Sequence, residues 1–473
     1  MKHLSLALSV WLVCFGLAAV ASDTWQGAVQ NPDNPSDVVT DKGFPDKQWW
    51  LTFHDTLLNG YIEEALKSNQ ALAVAEARIT ESRALARFTM SHEFPTLSLQ
   101  PSFNRQRNSA HEFPSFGASS SSGSSGGFVL GQPFNLYSLP LEANYETDFF
   151  LKKHDQTRSA YKQAEATARD YQTARIALIT DVASTYFNLA SEDKLINFQK
   201  DYIRFAEADL QAERAKMAEG LVSEETVAIK EGILSNAKAA LQEYYRLQGM
   251  YTNQLAILLG KTPEEARVLP RSDLDQFAIP QVVEAGIPSV LVTQRPDILS
   301  AEALLEKSKI DVRVARKEIF PTINLTGQFG FSAAKIAQLL DWQSRVYSLG
   351  GSLAQTVFDA GALRANLKVN KARQTEQLHQ YQQTILTAFE EVDNALDSLK
   401  AHRAAYQNYD DAYASLNKQL SLEQSRLAEG DIAGAELYPT ELQIIQAKEG
   451  LVGTKILGLT DALNLYKAVG GGY

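Results

Sequence analysis

The side chains best able to carry chemistry are few in this chain, and they do not converge. The seven histidines, His3, His54, His92, His111, His154, His379 and His402, are scattered. None stands in the His-Glu-x-x-His spacing that puts two imidazoles on one helix face to hold zinc. The single cysteine, Cys14, lies in an apolar N-terminal run. Gly260-Lys261-Thr262 has the tail of a phosphate-binding loop, but Leu255 occupies the place of its first glycine, so the triplet reads as a helix end. Gly470-Gly471-Gly472 has no helix after it to supply amide groups for an anion. Glu390-Glu391 and Asp410-Asp411 are adjacent pairs, which on a helix diverge by about 100° and read as solvated charges. No catalytic, cofactor or metal site is expected, and the chain is not read as an enzyme.

The elements that carry these residues are more informative. Of 473 residues, 45% are hydrophobic and 21% charged, a composition of neither a disordered chain nor a helical membrane protein. The net charge of −11 argues against nucleic acid as a partner and suits a lumen that favours cations. Residues 1–22 read as a signal peptide: Lys2 and His3, an apolar run from Leu4 to Val20, then small residues, with cleavage after Ala21 or Ser22. Such cleavage removes Cys14 and leaves a chain without disulfides. Beyond the signal no window of 18 apolar residues exists, so a membrane could be crossed only by a closed β-barrel.

An internal duplication organises the remainder. Glu76–Phe103 lies over Glu302–Phe329 without a gap, matching Glu76-Ala77 to Glu302-Ala303 and Phe94-Pro95-Thr96 to Phe320-Pro321-Thr322. Ala218-Glu219-Gly220 recurs as Ala428-Glu429-Gly430. A repeat this long, seen twice, implies two duplicated halves. The boundaries predicted are an N-terminal extended segment 23–55, a first repeat 56–270 and a second repeat 271–473. The first holds a helix, two barrel strands near 95–147, a long helix 149–219 and a return helix 223–260. The second holds a helix 290–319, two strands near 321–358, a long helix 362–429 and a return helix 435–468.

The strand segments alternate. Ile323, Leu325, Phe329 and Phe331 are interleaved with Asn324, Thr326 and Gln328, and Tyr347, Leu349 and Leu353 with Ser348 and Ser352. Period-2 segments of about ten residues are the signature of lipid-facing strands around a polar lumen, although a soluble sandwich with one wet face alternates in the same way. Ser119–Gly127 is a Ser/Gly tract that reads as a loop. Neither Leu151–Glu219 nor Ala362–Glu429 contains a glycine or proline, and an unbroken helix over either spans roughly 100 Å. Helices of that length need neighbours, and four strands cannot close a transmembrane barrel, which takes about eight or more. A ring of identical copies answers both demands.

At this point the chain resembles the TolC-like outer membrane efflux proteins, nearest the NodT-like branch that serves resistance-nodulation-division pumps. The resemblance rests on Trp49-Trp50-Leu51-Thr52-Phe53-His54-Asp55, Ile287-Pro288-Ser289-Val290-Leu291 with Arg295-Pro296-Asp297-Ile298, Gln355-Thr356-Val357-Phe358-Asp359-Ala360-Gly361, and Leu465–Tyr473. It implies a mainly α fold with a transmembrane β-barrel. Three subunits of four strands each would form one 12-strand barrel above a long periplasmic α-helical barrel. It implies a homotrimer in outer membrane lipid, joined by a periplasmic adaptor to an inner membrane transporter and conducting small molecules passively outward.

By the same resemblance the adaptor docks on the turns Glu219-Gly220-Leu221-Val222 and Glu429-Gly430-Asp431-Ile432. The periplasmic gate candidates are Asp431, Glu436 and Glu441, with Pro439 standing where relatives carry a second gate acid. Two other readings stay open: a duct for type I protein secretion, and a periplasmic coiled-coil scaffold that never spans a membrane.

Overall fold

Trp49 and Trp50 begin a 3-10 turn, Trp49–Phe53, that buries three aromatic side chains in succession. The computed structural model describes residues 48–107, 133–280 and 294–471, all within one compact unit, Asp46–Tyr473. The signal peptide with Cys14, most of the 23–55 segment, the Ser/Gly tract, the Ile287–Leu291 motif and the last two residues lie outside the described residues.

The helices are α1 (Thr56–Ser68), α2 (Gln70–Ser91), α3 (Lys152–Ala218), α4 (Glu224–Leu258), the short α5 (Pro263–Ala266), α6 (Pro296–Lys317), α7 (Ala362–Glu429) and α8 (Tyr438–Ala468). The strands are β1 (Thr96–Leu99), β2 (Ser102–Arg107), β3 (Pro133–Thr147), β4 (Thr322–Ala333) and β5 (Arg345–Ala354). The chain between Thr56 and Ser91 has no proline, yet it forms two helices. Asn69 leaves helical geometry, accepts from the Leu72 amide and donates to the Leu258 carbonyl, capping α2 and tying it to the end of α4. Gly260, at φ 68°, turns the chain after α4, and Lys261 pairs with Glu64 at 2.8 Å. The triplet with a phosphate-loop tail is thus a helix terminus.

α3 and α7 run 67 and 68 residues without a break. Asp148 accepts from the Lys153 and His154 amides to start α3, and Asp359 accepts from Gly361 and Leu363 to start α7. The central core gathers around the middle of α3. Tyr186 and Phe187 meet Phe53, Phe277 and Tyr61, while Leu459 and Leu463 of α8 close it and Trp49 stacks on Tyr466 at 4.7 Å. The N-terminal Trp-Trp segment and the C-terminal helix are therefore held together, although they stand at opposite ends of the sequence.

Arg295 makes a second tie. Its buried guanidinium bonds Asp297 at 2.6 Å, Glu391 at 2.7 Å and the Ala468 carbonyl at 3.0 Å. One side chain thereby joins the start of α6, the middle of α7 and the end of α8.

β1 and β2 are one ribbon interrupted at Gln100-Pro101, and both pair antiparallel with β3, followed by β4 and β5. Proline cannot donate to a ladder, so the ribbon breaks there. The register aligns Leu99, Leu141 and Phe329 with Tyr347, and Leu97, Ala143 and Gly327 with Leu349. It aligns Ser98, Glu142, Gln328 and Ser348 on the other face, where Ser348 donates to Gln328 at 3.4 Å. The alternation seen strand by strand thus adds up to a sheet with one apolar and one polar face. Leu349 is 89% exposed on the apolar face. Among the described residues, β1 and β2 at one edge and β5 at the other have no outer partner.

The long helices also leave surface uncovered. α3 buries residues along most of its length, whereas α7 buries only Ala388, Val392, Ala395 and Leu399. Leu378, Leu386, Phe389 and Leu422 of α7 are exposed in the single chain. Among the described residues no helix is long and apolar enough to cross a membrane.

Candidate functional site

Both long helices end in the same manner, because a chain of L-residues can reverse at a helix terminus most cheaply through a left-handed glycine. Gly220 (φ 75°) and Gly430 (φ 84°) take that conformation. The Leu221 amide then bonds the Lys216 carbonyl at 2.9 Å, and the Asp431 amide bonds the Arg426 carbonyl at 2.9 Å. These are the six-to-one bonds of a Schellman turn. Glu219, Gly220 and Leu221 are exposed and Val222 half-buried; Glu429, Gly430 and Asp431 are exposed and Ile432 half-buried. A Cβ at either glycine would meet no atom within 4 Å.

The restarts differ. Ser223 caps α4 by accepting from the Thr226 amide. The second hairpin has Ala433 at that place, without a side-chain acceptor of its own. Here Glu436 reaches back to accept from the Ala433 amide at 3.2 Å, the half of a capping box that a glutamate supplies. Residues 434–437 form a 3-10 turn, and α geometry begins at Tyr438, with Pro439 in the first turn, where its missing N–H costs nothing.

The three acidic gate candidates therefore hold different positions. Asp431 is exposed on the turn, and Glu436 is occupied with its own backbone. Glu441 is half-buried, with Oε2 covered and unpartnered. Burial pushes the Glu441 carboxyl up, against the opposing charge of Arg204 on α3. Lys216 of α3 in turn feels Glu436, although Glu213 is its main partner. The beginning of α8 is thus set against the lower part of α3, and one chain brings its two hairpin ends to the same end of the bundle. Behind the turn, Thr440 donates to Glu423 at 3.0 Å and accepts from Gln419, locking α8 to α7.

Arg204, Lys216 and the Thr440–Glu423 bond were not visible in the sequence. Each joins helices separated by many residues, and no local period marks them. No group of three or more His, Cys, Asp or Glu side chains among the described residues could hold a metal ion. The adjacent carboxylates Glu390-Glu391 do diverge, Glu391 turning to Arg295.

The family model described as outer membrane efflux protein matches residues 61–261 and 287–471. The probable efflux pump outer membrane protein TtgC of Pseudomonas putida is 28% identical over 458 residues, covering 96% of this chain and 90% of that protein. Outer membrane protein OprJ of Pseudomonas aeruginosa is 28% identical over 466 residues, covering 96% and 91%. In fold, the chain is similar to the crystal structure of the Campylobacter jejuni CmeC outer membrane channel, with a TM-score of 0.80 at 24% identity over 93% of this chain and 91% of that one.

Proposed function

The chain belongs to the outer membrane efflux protein family, and on that footing we propose that it is the outer-membrane exit duct of a three-part efflux pump. Three copies would close the barrel, each contributing the β1/β2 ribbon, β3, β4 and β5. The observation that carries this reading is the sheet: one face apolar, one polar, and both edges unpaired among the described residues. An unpaired edge in lipid leaves backbone groups without partners at several kcal/mol each, so the sheet must be completed by further strands. The exposed leucines and Phe389 of α7 require the same neighbours for the helical tube.

Transport in such a duct needs no catalysis. The polar strand face lines a water-filled path, and the energy comes from the inner membrane transporter. The periplasmic adaptor docks its hairpin tips on the turns at Glu219–Val222 and Glu429–Ile432. The inner mouth is held shut where α8 meets α3, through Glu441 opposite Arg204 and Glu436 near Lys216, with Asp431 on the rim. Docking at the glycine turns draws the second hairpin away from α3 and opens the mouth. Its substrates are read as small molecules, in keeping with Pseudomonas putida relatives named for antibiotic and toluene efflux.

The test is drug and dye accumulation in cells lacking the chain. Deletion should raise accumulation severalfold, and plasmid expression should restore export. Unchanged accumulation in the deletion strain, with the pump partners expressed, would remove the efflux role.

A further inference from the structure

Far from the turns, in the middle of the helical bundle, two carboxyl groups each have one oxygen that is covered without a partner. Glu192 of α3 is 7% exposed, and its Oε2 is sealed from solvent with no hydrogen-bond partner. Glu449 of α8 likewise has a sealed, unpartnered Oε1. Tyr244 of α4 lies within reach of both charges, and Tyr251, two turns further along the same face, within reach of Glu192. These atoms are already covered inside a single chain, so a second copy cannot supply the missing partners.

The charged groups around them are committed elsewhere. Beside Glu192 on α3, Asp193 is bonded by Arg271 at 2.9 Å and by Gln248 of α4. Glu243 of α4 is paired with Arg246. On α8, the Lys448 ammonium lies 5.6 Å from the Phe198 ring centre and 5.7 Å from that of Tyr413 on α7, rather than on either carboxylate. Also on α7, Tyr409 packs against Gly450, next to Glu449. Two carboxylates in such a place cannot both be ionised without cost, because an unpaired buried charge is among the most expensive groups a core can hold.

We propose that Glu192, Tyr244 and Glu449 form a proton-operated latch between α3, α4 and α8, closed when the carboxyls carry protons and loosened when they ionise. The periplasm shares the acidity of the outside medium, so the latch makes the firmness of the α8 seam a function of external pH. It lies within one chain and does not depend on the number of copies.

Burial pushes the Glu192 carboxyl up to about 7, reinforced by Asp193 and Glu243, and pushes that of Glu449 up by desolvation alone. The sign follows. The closed seam binds protons more tightly than the open one, where the carboxyls recover their ordinary value of 4.5. The opening constant therefore rises with pH from the ordinary value up to about 7 and levels off above it.

The experiment is hydrogen exchange on the purified full chain in detergent, at pH 5 to 8, corrected for intrinsic rates. In peptides covering residues 441–456, the wild type should open more readily at pH 8 than at pH 5, by on the order of fifty- to a hundredfold. Glu192→Gln should remove most of that rise, and the double variant with Glu449→Gln all of it. Glu231→Gln, altering an exposed carboxylate of α4 that is paired with Arg214 and faces neither group, should retain the wild-type slope. A flat wild-type profile, a double variant with the wild-type slope, or a Glu231→Gln profile as flat as the double variant's would each overturn the latch. Infrared spectra of the wild type supply a reading that needs no variant. A band from protonated carboxylic acid should be present at pH 6 and lost at pH 9, and its absence at pH 6 would also overturn the proposal.

Discussion

Replacing Gly430 with alanine and, separately, with tryptophan separates backbone strain from surface contact at the second hairpin. Gly430 sits at φ 84°, and a Cβ there would meet nothing within 4 Å. Any L-residue at this position pays the left-handed penalty, about 1–2 kcal/mol, and pays it whether or not the turn is docked. That penalty is a fraction of a typical stability of about 5–15 kcal/mol. It falls at a hairpin tip, far along α7 from its buried residues at Ala388 to Leu399. Both variants should therefore assemble. The alanine variant carries strain alone, while tryptophan adds bulk that the chain itself has room for but a docked adaptor tip does not. The assay is dye accumulation in a complemented deletion strain, alongside the unboiled trimer band. Alanine should keep export within a few-fold of wild type, and tryptophan should abolish it at normal trimer levels. Normal export by the tryptophan variant would refute docking at this turn. Equal loss in both variants would show that backbone geometry, not contact, is what matters.

Other outcomes follow from the same geometry. Glu441→Ala removes the half-buried acid opposite Arg204 and should raise passive single-channel conductance or lower cation selectivity, whereas an unchanged channel would make Glu441 an ordinary packed side chain. Glu436→Ala removes the cap on Ala433 at a cost of about 0.5–1 kcal/mol, to be read as faster amide exchange at residues 433–437. Gly330→Val drives a Cβ into the Leu139 carbonyl and Pro140 at the β3–β4 ladder, and should eliminate the heat-sensitive trimer from outer membranes. Arg295→Ala leaves Asp297, Glu391 and the Ala468 carbonyl without their shared donor, and should cost about 2 kcal/mol, seen as a lowered thermal midpoint.

What could be read from the sequence was whatever repeats over a short distance. Ile323 through Phe331 and Tyr347 through Leu353 carry a period of two, and the register only had to align them for the two-faced sheet to appear. The stretches before Gly220 and Gly430 carry no helix breaker, so their length was legible. The features that escaped are those whose cause lies far away in the chain. Asn69 ends a helix because the Leu258 carbonyl is there to receive it, and α8 waits until Tyr438 because Glu436 turns back to its own amide. At the proposed mouth, the family resemblance singled out the acids but not Arg204, which acts on Glu441, or Lys216, which feels Glu436. Glu192 and Glu449 look like any solvated glutamates until the helices that cover them are in place.

The central claim, that copies of this chain close a duct through the outer membrane, is tested most directly by recording single channels from detergent-purified protein in a planar bilayer, with its native mass measured beforehand. The account predicts the mass of three chains and a small, cation-favouring conductance. Protein that stays soluble without detergent and never inserts would contradict the barrel and leave a periplasmic helical scaffold in its place.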